Sequence, residues 1–244
     1  MLKIIGRNAV WENLNAGNRE IIKLVVRENT FGDKVQKIIE LAKGRGIKIE
    51  FVSHRNFDSH YSPHSQGVVL FGGKRKFFSV EEMLKNARSN NEPPFILLLD
   101  RIQDVRNLGA IIRTAAALGV HGVIIPKHDS AKVTPEVERV SQGTLNRLMI
   151  EETVNLKREI KILKQEGVTI LGLDMSGELP LTDHQNDSDG IALIMGGEAQ
   201  GIRPGILKEC DHIVSIPMKN DVESLNVSVA FGIAAFFLNI RDGG

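Results

Sequence analysis

The sequence predicts an α/β protein: a mostly parallel sheet covered by helices on both faces, preceded by a smaller α/β domain. Three observations predict it. From residue 95 onward, short and almost wholly apolar runs alternate with stretches of helical periodicity, the pattern of strands buried on both sides. The stretch KRKFFSVEEMLKNARSNNEPP, residues 74–94, separates that region from what precedes it and ends in a loop signal. Charge divides at the same place, with 14 Lys/Arg against 7 Asp/Glu in residues 1–76 and 17 against 23 in the remaining 168. The expected division is a first domain over 1–72, a linker over 73–94 and a second domain over 95–244.

In the first domain, IIKLVV (21–26), IKIEFV (47–52) and GVVLF (67–71) read as strands, and DKVQKIIELAK (33–43) as a helix. Asp33 is expected to cap that helix, and Gly44 and Gly46 to end it. In the second, the strands are FILLLD (95–100), VHGVIIP (120–126), VTILGL (168–173), IALIM (191–195) and HIVSIP (212–217). Helices are expected over 107–119, over about 155–166, and from about Ser224 to the end. Ligands of such sheets bind outside the carboxyl ends of the strands.

Composition narrows the function. With 42% hydrophobic and 25% charged residues the chain reads as globular, and no apolar run approaches the roughly 20 residues of a membrane span. The start MLKIIGRNAVWENL lacks a signal-peptide pattern, so a cytoplasmic protein without membrane contact is expected. Cys210 is the only cysteine, which excludes an intrachain disulfide and a cysteine-cluster zinc site. His60 and His64 would need a common helix that Pro63 opposes, so no metal is expected. The basic first domain suits a polyanionic partner as well as it suits an ordinary solvated face.

Three strand exits carry isolated polar side chains. After FILLLD comes RIQDVRNLGAIIRTA, with Asn107 near a helix start and Arg113 six residues on. After IALIM comes GGEAQGIRPG, with Glu198 among Gly196, Gly197 and Gly201. After HIVSIP comes MKNDVESLNVS, which places Ser224 and Asn226 at the mouth of the apolar segment VSVAFGIAAFF. Ser224 is a good helix N-cap as well as a candidate site residue; Asn226 needs polar partners beside buried surface. The glycines serve tight turns or the close approach of backbone to a ligand. A G-x-G-x-x-G fingerprint is absent from the first strand–helix turn, so a conventional dinucleotide site is not expected.

NLGAIIRTAAALGVHGVIIP, IMGGEAQGI and IPMKNDVESLNVSVAFGIAAF resemble, in order and spacing, the three motifs of the SpoU branch of the SPOUT RNA methyltransferases, over about residues 95–240. The first domain, with IIGRNAVWENL and HSQGVVLF, resembles the RNA substrate-binding domain that precedes many SpoU catalytic domains. The whole is most similar to the 23S ribosomal RNA guanosine 2′-O-methyltransferases. The resemblance implies a catalytic domain tied in a deep trefoil knot, a homodimer, and transfer of a methyl group from S-adenosylmethionine to a ribose 2′-hydroxyl of RNA. A tRNA ribose methyltransferase, or a noncatalytic RNA-binding assembly factor on the same fold, is the alternative. By the same carry-over Asn107, Arg113, Glu198, Ser224 and Asn226 are the catalytic positions. Gly196, Gly197, Gly201, Ile216, Met218 and Leu225 then hold the cofactor. The chain departs from the family pattern at Val105, where proline is common, at Ala199-Gln200, and at Asn220, a usual glycine position.

Overall fold

The computed structural model describes residues 2–184, 189–198, 200–220 and 224–241. The chain forms two compact units, 1–76 and 77–244. Among the described residues no helix is long and apolar enough to cross a membrane.

The first unit is a four-stranded sheet in the order β1 (Leu2–Ile5), β4 (Val68–Arg75), β2 (Arg19–Arg27), β3 (Lys48–Val52). β4 runs antiparallel to both β1 and β2, whereas β3 is parallel to β2. Parallel pairing needs a crossover, and helix α2 (Asp33–Gly44) supplies it, burying Val35, Ile38 and Ala42. Asp33 is the first residue of α2, not its cap. Gly32 at φ 127° occupies the cap position, so the Asp33 carboxylate acts on the first turn through the helix dipole. Gly44 closes α2, and Gly46 follows in the left-handed region at φ 65°. Helix α1 (Arg7–Ala16) packs Val10 and Leu14 into the core shared with α2. Short α3 (His54–His60) stops at His60 before Pro63, so His60 and His64 share no helix.

The stretch expected as a linker is instead divided between the units. Gly73 to Arg75 extend β4, and Val80–Ser89 form helix α4 of the second unit. The cause is local: Ser79 and Glu82 make a reciprocal capping box, and Val80, Met83, Leu84 and Ala87 supply a buried stripe.

The second unit is a seven-stranded sheet in which every described ladder is parallel. Its order is β7 (Met149–Thr153), β6 (Gly122–Pro126), β5 (Phe95–Asp100), β10 (Ile191–Gly196), β8 (Thr169–Leu173), β11 (His212–Ser215), β9 (Leu179–Pro180). Leu97 and Leu99 of β5 face the core under helices α5 (Val105–Ala117) and α9 (Val227–Arg241), while Ile96 and Leu98 face the core under α4 and α7 (Leu156–Gln165). Burial on both faces explains why these strands read as unbroken apolar runs. The chain leaves β5 toward β6 on one side and later returns to insert β10 between β5 and β8. The carboxyl ends of β5 and β10 thus lie at a topological switch point.

Candidate active site

The three polar strand exits meet where β5 and β10 end. Asn107, in the first turn of α5, donates from Nδ2 to Glu198 Oε1 at 2.9 Å. Asn226 donates from its own Nδ2 to the same carboxylate oxygen at 2.7 Å and to Asn107 Oδ1 at 3.0 Å. Its Oδ1 accepts from the backbone N–H of Ser228 at 3.0 Å and from the Ser228 hydroxyl at 2.6 Å. Two amides therefore fix one carboxylate, and charge-assisted bonds of this kind are roughly twice as strong as neutral ones. Asn226, not Ser224, precedes the first turn of α9, and its C=O accepts from Val229 and Ala230. The helix accordingly begins at Val227 rather than Ser224, because the Asn amide satisfies its N-terminus and the site together.

Each member of the cluster is held from behind. Asp104 caps α5 through the N–H groups of Arg106 and Asn107, at 2.7 and 2.9 Å. The loop carrying Glu198 is pinned at both ends. Asp100, fully buried at the end of β5, pairs with Arg203 Nη2 at 2.7 Å and accepts from its backbone N–H at 2.9 Å. Gly197 N–H donates to the Asp100 carbonyl, and Ile202 N–H donates to Asp174 Oδ2 at 3.3 Å. Burial raises the pKa of Asp174, but the Ser176 backbone and hydroxyl and the Ile202 N–H outweigh it, so the net shift is downward. Asp100 and Asp174 are positioning residues that motif reading passed over. The available signal was a single carboxylate closing an otherwise apolar strand, as in FILLLD and ILGLD.

The glycines of that loop mainly permit it to fold back on itself. Of the three, only Gly201 has a positive φ, 60°. A Cβ on Gly196 would lie 2.0 Å from the Gly201 carbonyl carbon, and one on Gly197 would lie 2.5 Å from the Arg101 carbonyl oxygen. Arg101 itself adopts φ 61° and donates to Gln200 Oε1 at 2.5 Å. Ala199 lies outside the described residues. Asn220, at the usual glycine position, has φ 58°, the left-handed region that Asn tolerates better than other side chains.

Two clefts share this loop. One, of about 630 Å³, lies beside the ends of β8, β10 and β11. Its apolar wall includes Met195, Ile216, Met218, Leu225 and Ala230; its polar groups include Asp174, Glu198 and Ser224; and Gly196, Gly197 and Gly201 also line it. The other, of about 470 Å³, is bounded by Arg101, Gln103, Asp104, Asn107 and Asp129, and meets the first at Gly197, Glu198, Gln200 and Gly201. Arg113 stands apart from both. Six residues beyond Asn107 on α5, it is displaced by about 9 Å along the axis and about 240° around it. It is exposed beside Ala110, Thr114, Ile233 and Phe236 in an apolar groove between α5 and α9. Among the described residues no cluster of His, Cys, Asp and Glu could hold a metal ion.

The fold is a parallel α/β sheet whose switch point carries two clefts divided by one anchored carboxylate, the arrangement of an α/β protein with a ligand site at its strand ends. Residues 94–236 match the SpoU rRNA Methylase family, and residues 3–76 match the domain described as RNA 2'-O ribose methyltransferase substrate binding. The chain belongs to the SpoU rRNA methylase family. Its relatives include the 23S rRNA (guanosine-2'-O-)-methyltransferase RlmB of Neisseria meningitidis, 38% identical over 94% of this chain and 91% of that one. RlmB of Coxiella burnetii is 34% identical over 96% and 93% of the two chains. Among solved structures, the SpoU methyltransferase AviRb of Streptomyces viridochromogenes in complex with AdoMet superposes with a TM-score of 0.76 at 20% identity, over 100% of this chain and 91% of that one.

Proposed function

We propose that the protein transfers a methyl group from S-adenosylmethionine to the ribose 2′-hydroxyl of a guanosine in 23S ribosomal RNA, in the cytoplasm and as a homodimer. The observation that carries this reading is the Asn107–Glu198–Asn226 cluster on the partition between the two clefts. The names of the RlmB relatives support the choice of RNA and base.

The larger cleft fits the cofactor. Its volume lies in the range of small-molecule sites, its apolar wall suits a purine, and the carboxylates of Asp174 and Glu198 complement a cationic sulfonium. When bound, the cofactor supplies an electrophilic methyl on a good leaving group. Gly196, Gly197, Gly201, Ile216, Met218 and Leu225 hold it in this reading, with Ser224 at the rim. The acceptor ribose enters the smaller cleft, where Asn107 and Glu198 orient its hydroxyl for in-line approach. Arg113, whose guanidinium only donates, cannot take the hydroxyl proton; set outside both clefts of its own chain, it instead grips the RNA phosphate.

The groove around Arg113 supports the dimer. Ile233 and Phe236 are 44% and 57% exposed on a helix that is apolar on every side, and a helix of that composition is ordinarily buried. A second copy seated there brings Arg113 to the junction of the two molecules. The knotted topology belongs to the same reading; its support is the late entry of β10 between the earlier strands β5 and β8.

The test is transfer of labelled methyl to unmodified 23S ribosomal RNA and, in parallel, to unmodified tRNA, followed by nucleoside analysis. The expected product is 2′-O-methylguanosine in ribosomal RNA alone, with Glu198→Gln slower by about 100-fold as for loss of a preorganised electrostatic contact. Product in tRNA alone reassigns the substrate, and an undiminished Glu198→Gln removes the proposed role of the cluster.

A further inference from the structure

The first unit carries an exposed aromatic side chain that its folding does not use. Phe31 is 79% exposed, more than any other large hydrophobic side chain among the described residues, and it belongs to neither apolar core of its unit. It sits in the turn from β2 to α2, where three loops converge. Gly32, its neighbour, would place a Cβ 3.3 Å from Arg7 Nη1 in the β1–α1 turn. Arg7 is held by Gln66 of the loop before β4, donating from its backbone N–H to the side-chain amide oxygen of Gln66 at 3.1 Å and from Nε to the Gln66 carbonyl at 3.1 Å. Lys34, three residues after Phe31, donates to Asn8 Oδ1. Thr30 packs under Gly67 and receives a long bond from Arg27 Nε at 3.5 Å.

The charges differ in availability. Arg27 is paired with Asp58 at 3.3 Å, and Glu28 and Asp33 are exposed in the same turn. Arg7 and Lys34, by contrast, are held by neutral oxygens, and among the described residues neither has a carboxylate partner. Two positive side chains fixed by uncharged groups thus lie in the same loop cluster as an aromatic ring that faces solvent. Neutral anchors leave the cations free to meet an anion, and a flat ring with an open face accepts a base.

The geometry points to a nucleotide-stacking seat: Phe31 stacks an unpaired base of a structured RNA loop, while Arg7 and Lys34 contact its flanking phosphates. This rests on the proposed RNA substrate and specifies the kind of RNA feature the first unit reads, a single-stranded loop base rather than a duplex.

The test is filter binding of the full chain to unmodified 23S ribosomal RNA over a salt series, with unfolding curves and methyl transfer measured alongside. Phe31→Ala is expected to weaken binding roughly 5- to 150-fold, the range of a lost base–aromatic stack, with an unchanged unfolding curve. Phe31→Trp keeps the affinity and Phe31→Leu does not. Lys34→Gln lowers the salt slope by about 0.7 to 0.9. Wild-type affinity in Phe31→Ala, or full affinity in Phe31→Leu, overturns the seat while leaving the enzyme reading intact. An unaltered chain that neither binds the RNA nor methylates it overturns both.

Discussion

Asn226 shows how much one residue decides. A backbone carbonyl that starts α9, an amide oxygen that binds Ser228 and an amide nitrogen that binds Asn107 and Glu198 all belong to it. Its need for polar partners was legible in the sequence, because an amide beside buried surface must be satisfied. That those partners lie 119 and 28 residues away was not, since spacing carries no information on contacts made by folding. A different carboxylate illustrates electrostatics away from the site. Glu151 on β7 is half-buried with Oε2 unpartnered, and burial, then the neighbouring charges of Glu159 and Glu81, push its pKa up to about 7. A carboxyl whose folded pKa is raised binds its proton more tightly folded than unfolded, so stability falls as pH rises from about 4.5 to about 7 and stays lower above. Glu151→Gln is therefore expected to match the wild type near pH 4.5 and to exceed it at pH 8. The gain is about 1–2 kcal/mol, reduced from the full shift because the group is partly solvated. Urea unfolding at the two pH values measures it, and an equal effect at both would remove the assignment.

At the scale of elements, the apolar runs FILLLD, IALIM and HIVSIP were readable as strands because a sheet covered on both faces needs no polar alternation. Short or polar elements were not. β1 has four residues, β7 reads MIEET at a sheet edge, and helix α1 carries Trp11 and Leu14 among polar neighbours without a side-chain cap. The glycine loop after β10 was legible as a candidate site, but the structural reason for its glycines differs from the expected one. Close packing of the loop on itself, more than reversed backbone dihedrals, requires Gly196. Gly196→Ala is expected to displace the loop, because the new Cβ would meet backbone atoms of Gly201 and Ile202 at 2.0 and 2.2 Å. Such overpacking costs about 1–3 kcal/mol. Calorimetric titration with S-adenosylmethionine should then show affinity weaker by about tenfold or more; unchanged affinity would mean that the loop does not form the cofactor cleft.

At the scale of the whole molecule, the proposed function gives the two units different tasks. The excess of Lys/Arg in residues 1–76 suits RNA, and the apolar groove of α5 and α9 suits a second copy. Sedimentation at micromolar concentration is expected to give a dimer for the wild type and a monomer for Phe236→Asp, which places a charge in that groove; a monomeric wild type would exclude the dimer reading. The sequence by itself determined the fold class, five of the seven strands of the second unit and the candidate polar residues of the site, because apolar periodicity and motif residues are local properties of a chain. Only the tertiary structure decided that β10 enters between β5 and β8, that Asn107 and Asn226 both bond one Glu198 oxygen while Arg113 faces elsewhere, and that Phe31 stands in solvent in the loop cluster that holds Arg7 and Lys34. Those outcomes depend on which distant segments pack together, and packing is settled by the shape and burial of the whole core.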